Sequence, residues 1–162
     1  MKTADIILVI TTVVSGLMAG LFYAFSYSVV SGLGKLPDAE YIRAFQHINR
    51  EIQNPVFLSC FMGLLLLLPL STYLHYHKPA TLQFWLLLAS TLVYFIGVFA
   101  VTAVGNIPLN NAIDAFKLDG ASAESIQAQR TAFENKWNNL NLVRTLASAL
   151  TLTLTVIACL RK

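Results

Sequence analysis

LQFWLLLASTLVYFIGVFAVTAVGNIPLNNAI, residues 82–113, decides what kind of protein this is. Its first part, 82–104, carries no charged side chain and is long enough to cross a bilayer, because about 20 apolar residues at roughly 1.5 Å rise span about 30 Å of hydrocarbon. The apolar run then meets a glycine, a proline and three asparagines. Proline lacks an amide hydrogen and disfavours a helical Ile107 before it, so the sequence predicts that the backbone opens at GNIPLNN. Gly105 tolerates that opening, and Asn106 and Asn110 offer donors and acceptors to it.

Working outward, three further runs have the same length and character: 6–30, 55–76 and 140–160. The first is too long for a signal-peptide core and has no clear A-x-A boundary, so it is read as a retained helix. TLTLTV near Thr151 alternates like a strand, but it is embedded in a longer apolar run, which argues against a barrel. The fold class is therefore all-α: a single integral-membrane domain over 1–162, built as a four-helix bundle. An amphipathic helix is expected between helices 1 and 2, and a longer polar, partly helical connection between helices 3 and 4.

Composition agrees and excludes other classes. Apolar residues make up 56% and charged residues 12%, far from the balance of a soluble domain. The net charge of +3 comes from scattered membrane-edge cations with no basic stripe, so nucleic-acid binding is excluded. Cys60 and Cys159 fall at opposite membrane faces of an up-down bundle, beyond disulfide reach. There is no Walker loop, dinucleotide fingerprint, HExxH, paired-cysteine motif or G-x-S-x-G, so neither a metal nor a tightly bound cofactor is expected. His75 and His77, followed by Lys78 and Pro79, read as a solvated turn. Lys/Arg density favours both termini on the cytoplasmic side of a cell inner membrane, although raw counts favour the long connections.

The connections hold the polar chemistry. YIRAFQHINREIQ has helical spacing with Tyr41, Ile42, Phe45, Ile48 and Ile52 as its apolar stripe, suited to lie on the membrane or roof the bundle. Gln46, Asn49, Arg50 and Gln53 share one face, while His47 stands beside Arg43, Arg50, Glu51 and Asn54 on another; which of His47 and Arg50 faces inward is open. Trp137, Asn141 and Arg144 lie at i, i+4 and i+7, one helix face. An arginine this deep in an apolar run either snorkels to the interface or meets partners inside the bundle. QHINREIQNP, GNIPLN and WNNLNLVR all fall at one membrane face, so three polar clusters converge there as the mouth of a pocket.

Helix 1 adds two features. Gly16 and Gly20, with Ser15 and Ala19, form a small-residue face for close helix contact, within the bundle or in a homo-oligomer. Tyr23 and Tyr27 either line the pocket or mark the membrane interface. Pro69 predicts a kink in helix 2.

At AGLFYAFSYSV, INREIQNP, GNIPLN and the W-x3-N-x2-R arrangement of Trp137, Asn141 and Arg144, the chain resembles the anthrone oxygenase-like family of small four-helix membrane proteins. The resemblance implies oxidation of anthrones to anthraquinones with molecular oxygen and no evident metal or flavin. It implies His47, Arg144 and Asn110 as catalytic candidates: His47 as base, Arg144 with Asn106 or Asn110 holding the enolate oxygen, and Arg50 in place of Arg144 as the alternative cation. Trp137 would stack on the flat substrate, and Asn49, Asn54, Asn141 and Tyr23 complete the binding candidates. The competing reading is non-enzymatic, with a lipid, quinone or partner helix in the same pocket. A glutathione-using membrane transferase is weaker, because the spans lack a dense basic cluster.

Overall fold

A computed structural model describes residues 2–161. It contains no strand among the described residues and four helices able to cross a membrane: α1 Thr3–Leu33, α3 Pro55–Leu74, α4 Leu82–Ala115 and α5 Ala123–Cys159. The amphipathic helix α2, Asp38–Glu51, lies between the first two. The four-helix membrane bundle expected from the apolar runs is thus the fold. Each spanning helix packs against two neighbours, so that α1, α3, α4 and α5 form a closed ring, with α5 returning to α1.

The helices are longer than the apolar runs. α5 is 37 residues, about 55 Å, well beyond the hydrocarbon thickness, and it starts at Ala123 rather than near residue 140. Ser122 caps it by accepting from the Ser125 amide at 3.3 Å. The connection between helices 3 and 4 is consequently helical except for the short stretch 116–122. Hydropathy marks where lipid ends, not where backbone hydrogen bonding ends.

GNIPLNN does not open. Ile107 is helical, at φ −61° and ψ −47°, and α4 continues through Pro108 to Ala115. The reason is a change of helix register: Tyr94–Ala100 and Thr102–Asn106 are wound as π-helix, with Pro108 in the first turn of the α-helical segment that follows. A local π adjustment accommodates a proline whose ring and missing amide hydrogen would disrupt a regular α-helix. A third π segment, Phe25–Val29, interrupts α1 where it faces α5.

Small and hydroxylic residues hold the spans together, as expected where lipid is as apolar as leucine. Thr11 and Ser71 hydroxyls meet at 2.8 Å, Thr72 and Thr91 at 3.0 Å, and Ser90 donates to the Thr151 carbonyl at 3.2 Å. α4 and α5 approach closely at Gly97: a Cβ there would lie 2.6 Å from that of Ala147. Gly16 faces Leu152 on α5, whereas Gly20 has open space, so the small-residue face of α1 serves the bundle only in part. His75 is buried, with Nδ1 2.8 Å from the Ser71 carbonyl, which corrects its reading as solvated; His77 is exposed. Cys60 and Cys159 are free thiols.

Beyond the bundle, α2 closes one end. Tyr41, Ile42 and Phe45 are buried against Leu33, Ile113, Phe133 and Trp137. Arg130 ties this cap down: its guanidinium donates to the carbonyls of Gly34 (2.9 Å) and Leu36 (2.8 Å), pairs with Asp38 and Glu134, and covers the Tyr41 ring at 4.5 Å. Burial holds the Tyr41 phenol well above its ordinary range, an effect that Glu134 adds to and Arg130 opposes. Gln46 donates to the carbonyls of Ile113 (2.8 Å) and Phe116 (2.9 Å), satisfying the end of α4.

Candidate functional site

Between the aromatic cap and the mid-bundle core of Phe22, Phe61 and Tyr94 lies a cavity of ≈ 300 Å³. Its walls are mostly apolar: Phe22 and Phe25 from α1, Phe45 and Ile48 from α2, Phe57 and Phe61 from α3. Most of its polar groups come from facing positions on α4 and α5, with Asn49 and Gln53 added from α2 and the turn after it. Because α4 and α5 are antiparallel, residues ascending one meet residues descending the other. The Trp137 indole N–H donates to Asn110 Oδ1 at 2.7 Å, and Arg144 Nη1 reaches Thr102 Oγ1 at 3.4 Å. Between these two rungs Gly105 lets the helices close: a Cβ at that position would lie 2.9 Å from Leu140.

Arg144 turns inward. Only 6% of it is exposed, and its guanidinium lies 4.8 Å from the Phe22 ring and 5.3 Å from that of Trp137. Nη2 donates to Asn141 Oδ1 at 2.6 Å. Asn141 in turn donates to Ser26 Oγ at 2.7 Å, and the Ser26 hydroxyl lies 2.7 Å from that of Thr145. Thr145 reaches the carbonyls of Asn141 (2.9 Å) and Phe22 (3.1 Å). This chain fixes the Asn141 amide with its oxygen toward the guanidinium, and the π segment of α1 supplies the serine that holds it. No carboxylate lies within ion-pair distance of Arg144 among the described residues.

A buried cation with only neutral partners is costly unless something else compensates it. Arg144 Nε and, four residues along α4 from Thr102, both amide atoms of Asn106 are buried without a protein partner. An electropositive, under-satisfied corner in an apolar chamber is suited to an anionic group on an otherwise apolar molecule. The sequence model described as anthrone oxygenase matches residues 57–154, more than half the chain and the part that supplies Asn110, Trp137, Asn141 and Arg144. The chain belongs to the anthrone oxygenase family. Neither a comparison with curated proteins nor one with solved structures gave a match.

The other residues singled out in this anthrone oxygenase family member fall into two groups. Asn49, Asn110, Trp137, Asn141 and Arg144 line the cavity together. His47, Arg50, Asn54 and Tyr23 do not. His47 is exposed on the outer face of α2, because Tyr41, Ile42, Phe45, Gln46 and Asn49 take the inner one. Arg50 is drawn outward into a 2.8 Å ion pair with Asp114. Asn54 caps α3, accepting from the Phe57 amide at 3.0 Å. Tyr23 is exposed beside Tyr27, ring centroids 4.8 Å apart, and does not line the cavity. Asn106 is fully buried next to the site but does not line it.

Thr102, Ser26, Thr145 and the rim residue Asn111 were missed in the sequence. Thr102 was legible, since Thr102, Asn106 and Asn110 recur every four residues along α4. Ser26 was not, because its direction depends on the π turn. Among the described residues, Arg144 is the only titratable side chain lining the cavity, and no three His, Cys, Asp or Glu side chains converge as a metal site.

Proposed function

We propose that the cavity binds a flat, lipophilic ketone or phenol as its anion against Arg144 and promotes its oxidation by dioxygen, as anthrone becomes anthraquinone. The carrying observation is the buried guanidinium without a carboxylate: the ligand's own oxyanion is the missing counter-charge. Family membership supports the oxygenase class.

The proton balance follows from the lining. With His47 outside, no lining side chain acts as base; instead Arg144 and the Asn110 amide stabilise the enolate and so lower the acidity barrier of the bound ketone. The proton leaves to water at the polar rim formed by Gln53 and Asn111. The enolate carbon then gives its electrons to dioxygen and a C–O bond forms. Loss of water from the resulting hydroperoxide leaves a carbonyl, so that a CH2 and O2 become C=O and H2O. Trp137, held by Asn110, and Phe22 supply faces for the rings, and the apolar walls keep bulk water from the oxyanion.

The test is anthrone turnover in nanodiscs by wild type, Arg144→Met and a protein-free blank, with labelled dioxygen traced into the new carbonyl. Wild type is expected to exceed both others. A wild-type rate equal to the blank overturns the reading, and native mass spectrometry showing retained lipid without oxygen consumption favours binding instead. We also read the termini as cytoplasmic at a cell inner membrane, which puts the cavity at the opposite face; this rests on Lys/Arg density near the spans.

A further inference from the structure

The polar corner explains what the cavity holds but not how anything reaches it. Leu58 and Met62 on α3 and Ile107 on α4 line the cavity, yet they are 44%, 46% and 45% exposed. Leu58 and Met62 lie within the apolar run 55–76, so the surface they present meets hydrocarbon rather than water, and Ile107 lies three residues past the run 82–104, at the membrane edge. They flank a single gap. Lower down, α3 and α4 are held together: the Tyr94 hydroxyl donates to the Phe61 carbonyl at 2.8 Å, and the Phe61 and Phe99 ring centroids are 6.0 Å apart. Above these contacts α3 has no sustained packing along Thr102–Ala115, although it packs along α1 and the first part of α4. The water-facing end is covered by Phe45, Ile48 and Ile52, with exposed polar lining only at Gln53 and Asn111.

We propose that the gap between α3 and α4 is a lateral portal through which the substrate passes from the bilayer, as a neutral, flat, lipid-partitioned molecule that ionises only beside Arg144. This rests on the functional reading above. A charged species is disfavoured in hydrocarbon, whereas the neutral ketone concentrates there. From the portal it slides past the rings of Phe57, Phe61 and Phe99 toward Trp137, carrying its oxygen to the guanidinium. Met62 and Leu58 are suited to give way: methionine is unbranched and flexible, and both side chains face fluid lipid. On reaching Arg144 the molecule loses one proton to water at the Gln53 and Asn111 corner and keeps its electron pair as the enolate.

Anthrone in nanodiscs under argon tests this, because binding is then read without turnover. Trp137 fluorescence is followed in a Trp85→Phe background. The rate of its response to added anthrone reports the route, because equilibrium occupancy is the same whichever way the molecule enters. Met62→Tyr and Leu58→Tyr should slow association roughly tenfold, and Gln53→Tyr much less. α3 variants that associate at the wild-type rate, or no more slowly than Gln53→Tyr, overturn the portal alone. Met62→Ala and Leu58→Ala, which widen the gap without added bulk, should speed association, so the portal is still tested if a tyrosine variant misfolds, and unchanged rates in the alanine variants overturn it. Absence of any Trp137 response overturns the functional reading, and the portal with it.

Discussion

Asn141 and Arg144, one turn apart on α5, are joined by a 2.6 Å hydrogen bond from the guanidinium to the amide oxygen, and Ser26 of α1 fixes that amide from its other side at 2.7 Å. The cation is thus oriented by neutral groups alone. Its charge stays available to a ligand rather than cancelled inside the protein.

Replacing Arg144 should separate function from stability. Arg144→Met removes a buried charge whose partners are all neutral, and such replacements are often neutral or stabilising. Thermal unfolding in nanodiscs is expected at an unchanged or higher temperature, while turnover of anthrone falls by about 10²–10³, the range for loss of an oxyanion donor. A large fall in stability with activity retained would contradict the assignment.

Trp137→Phe keeps a ring in the cap but deletes the donor to Asn110. Ligand affinity should weaken by about 1 kcal/mol, close to a single neutral hydrogen bond. Asn110→Leu alone should weaken it too, because the indole N–H is then left unpaired. The double variant should lose less than the sum of the two, measurable by a double-mutant cycle on binding.

His47→Ala should leave both rate and pH profile unchanged, since His47 lies on the exposed face of α2. With Arg144 the only titratable lining side chain among the described residues, the rate is expected to rise with pH as the substrate itself ionises. Profiles for substrates of differing acidity should shift with the substrate. A profile fixed across substrates and altered by His47→Ala would restore the histidine as base.

Gly97→Ala should destabilise the bundle by about 1–3 kcal/mol, because its new methyl would lie 2.6 Å from the Ala147 Cβ, which has no flexible end to move. Adding Ala147→Gly should recover most of the loss. Unfolding of the two single variants and the double in the same detergent checks this.

Arg130→Ala should loosen the cap rather than the bundle. It removes charged donors to the Gly34 and Leu36 carbonyls and the pairs with Asp38 and Glu134, each such hydrogen bond contributing about 1.5–3 kcal/mol when partly buried. Hydrogen exchange is expected to accelerate in α2 and the turn before it while α3 and the lower half of α5 stay protected.

The sequence determined the membrane fold, because apolar length and the absence of charge over 82–104 leave a spanning helix as the only way to satisfy the backbone in lipid. The spacing of Trp137, Asn141 and Arg144 also put them on one face without any knowledge of neighbours. Tertiary structure decided which polar residues share a chamber. Asp114 draws Arg50 outward, the buried face of α2 turns His47 to solvent, and π turns carry α4 through Pro108 while aiming Ser26 at Asn141. The Arg50 pair and the π turns depend on a partner far away in the chain or on a register shift of one residue, and neither leaves a mark in local hydropathy or periodicity, whereas the outward face of His47 follows from the apolar stripe of α2 once that stripe is known to pack on the bundle.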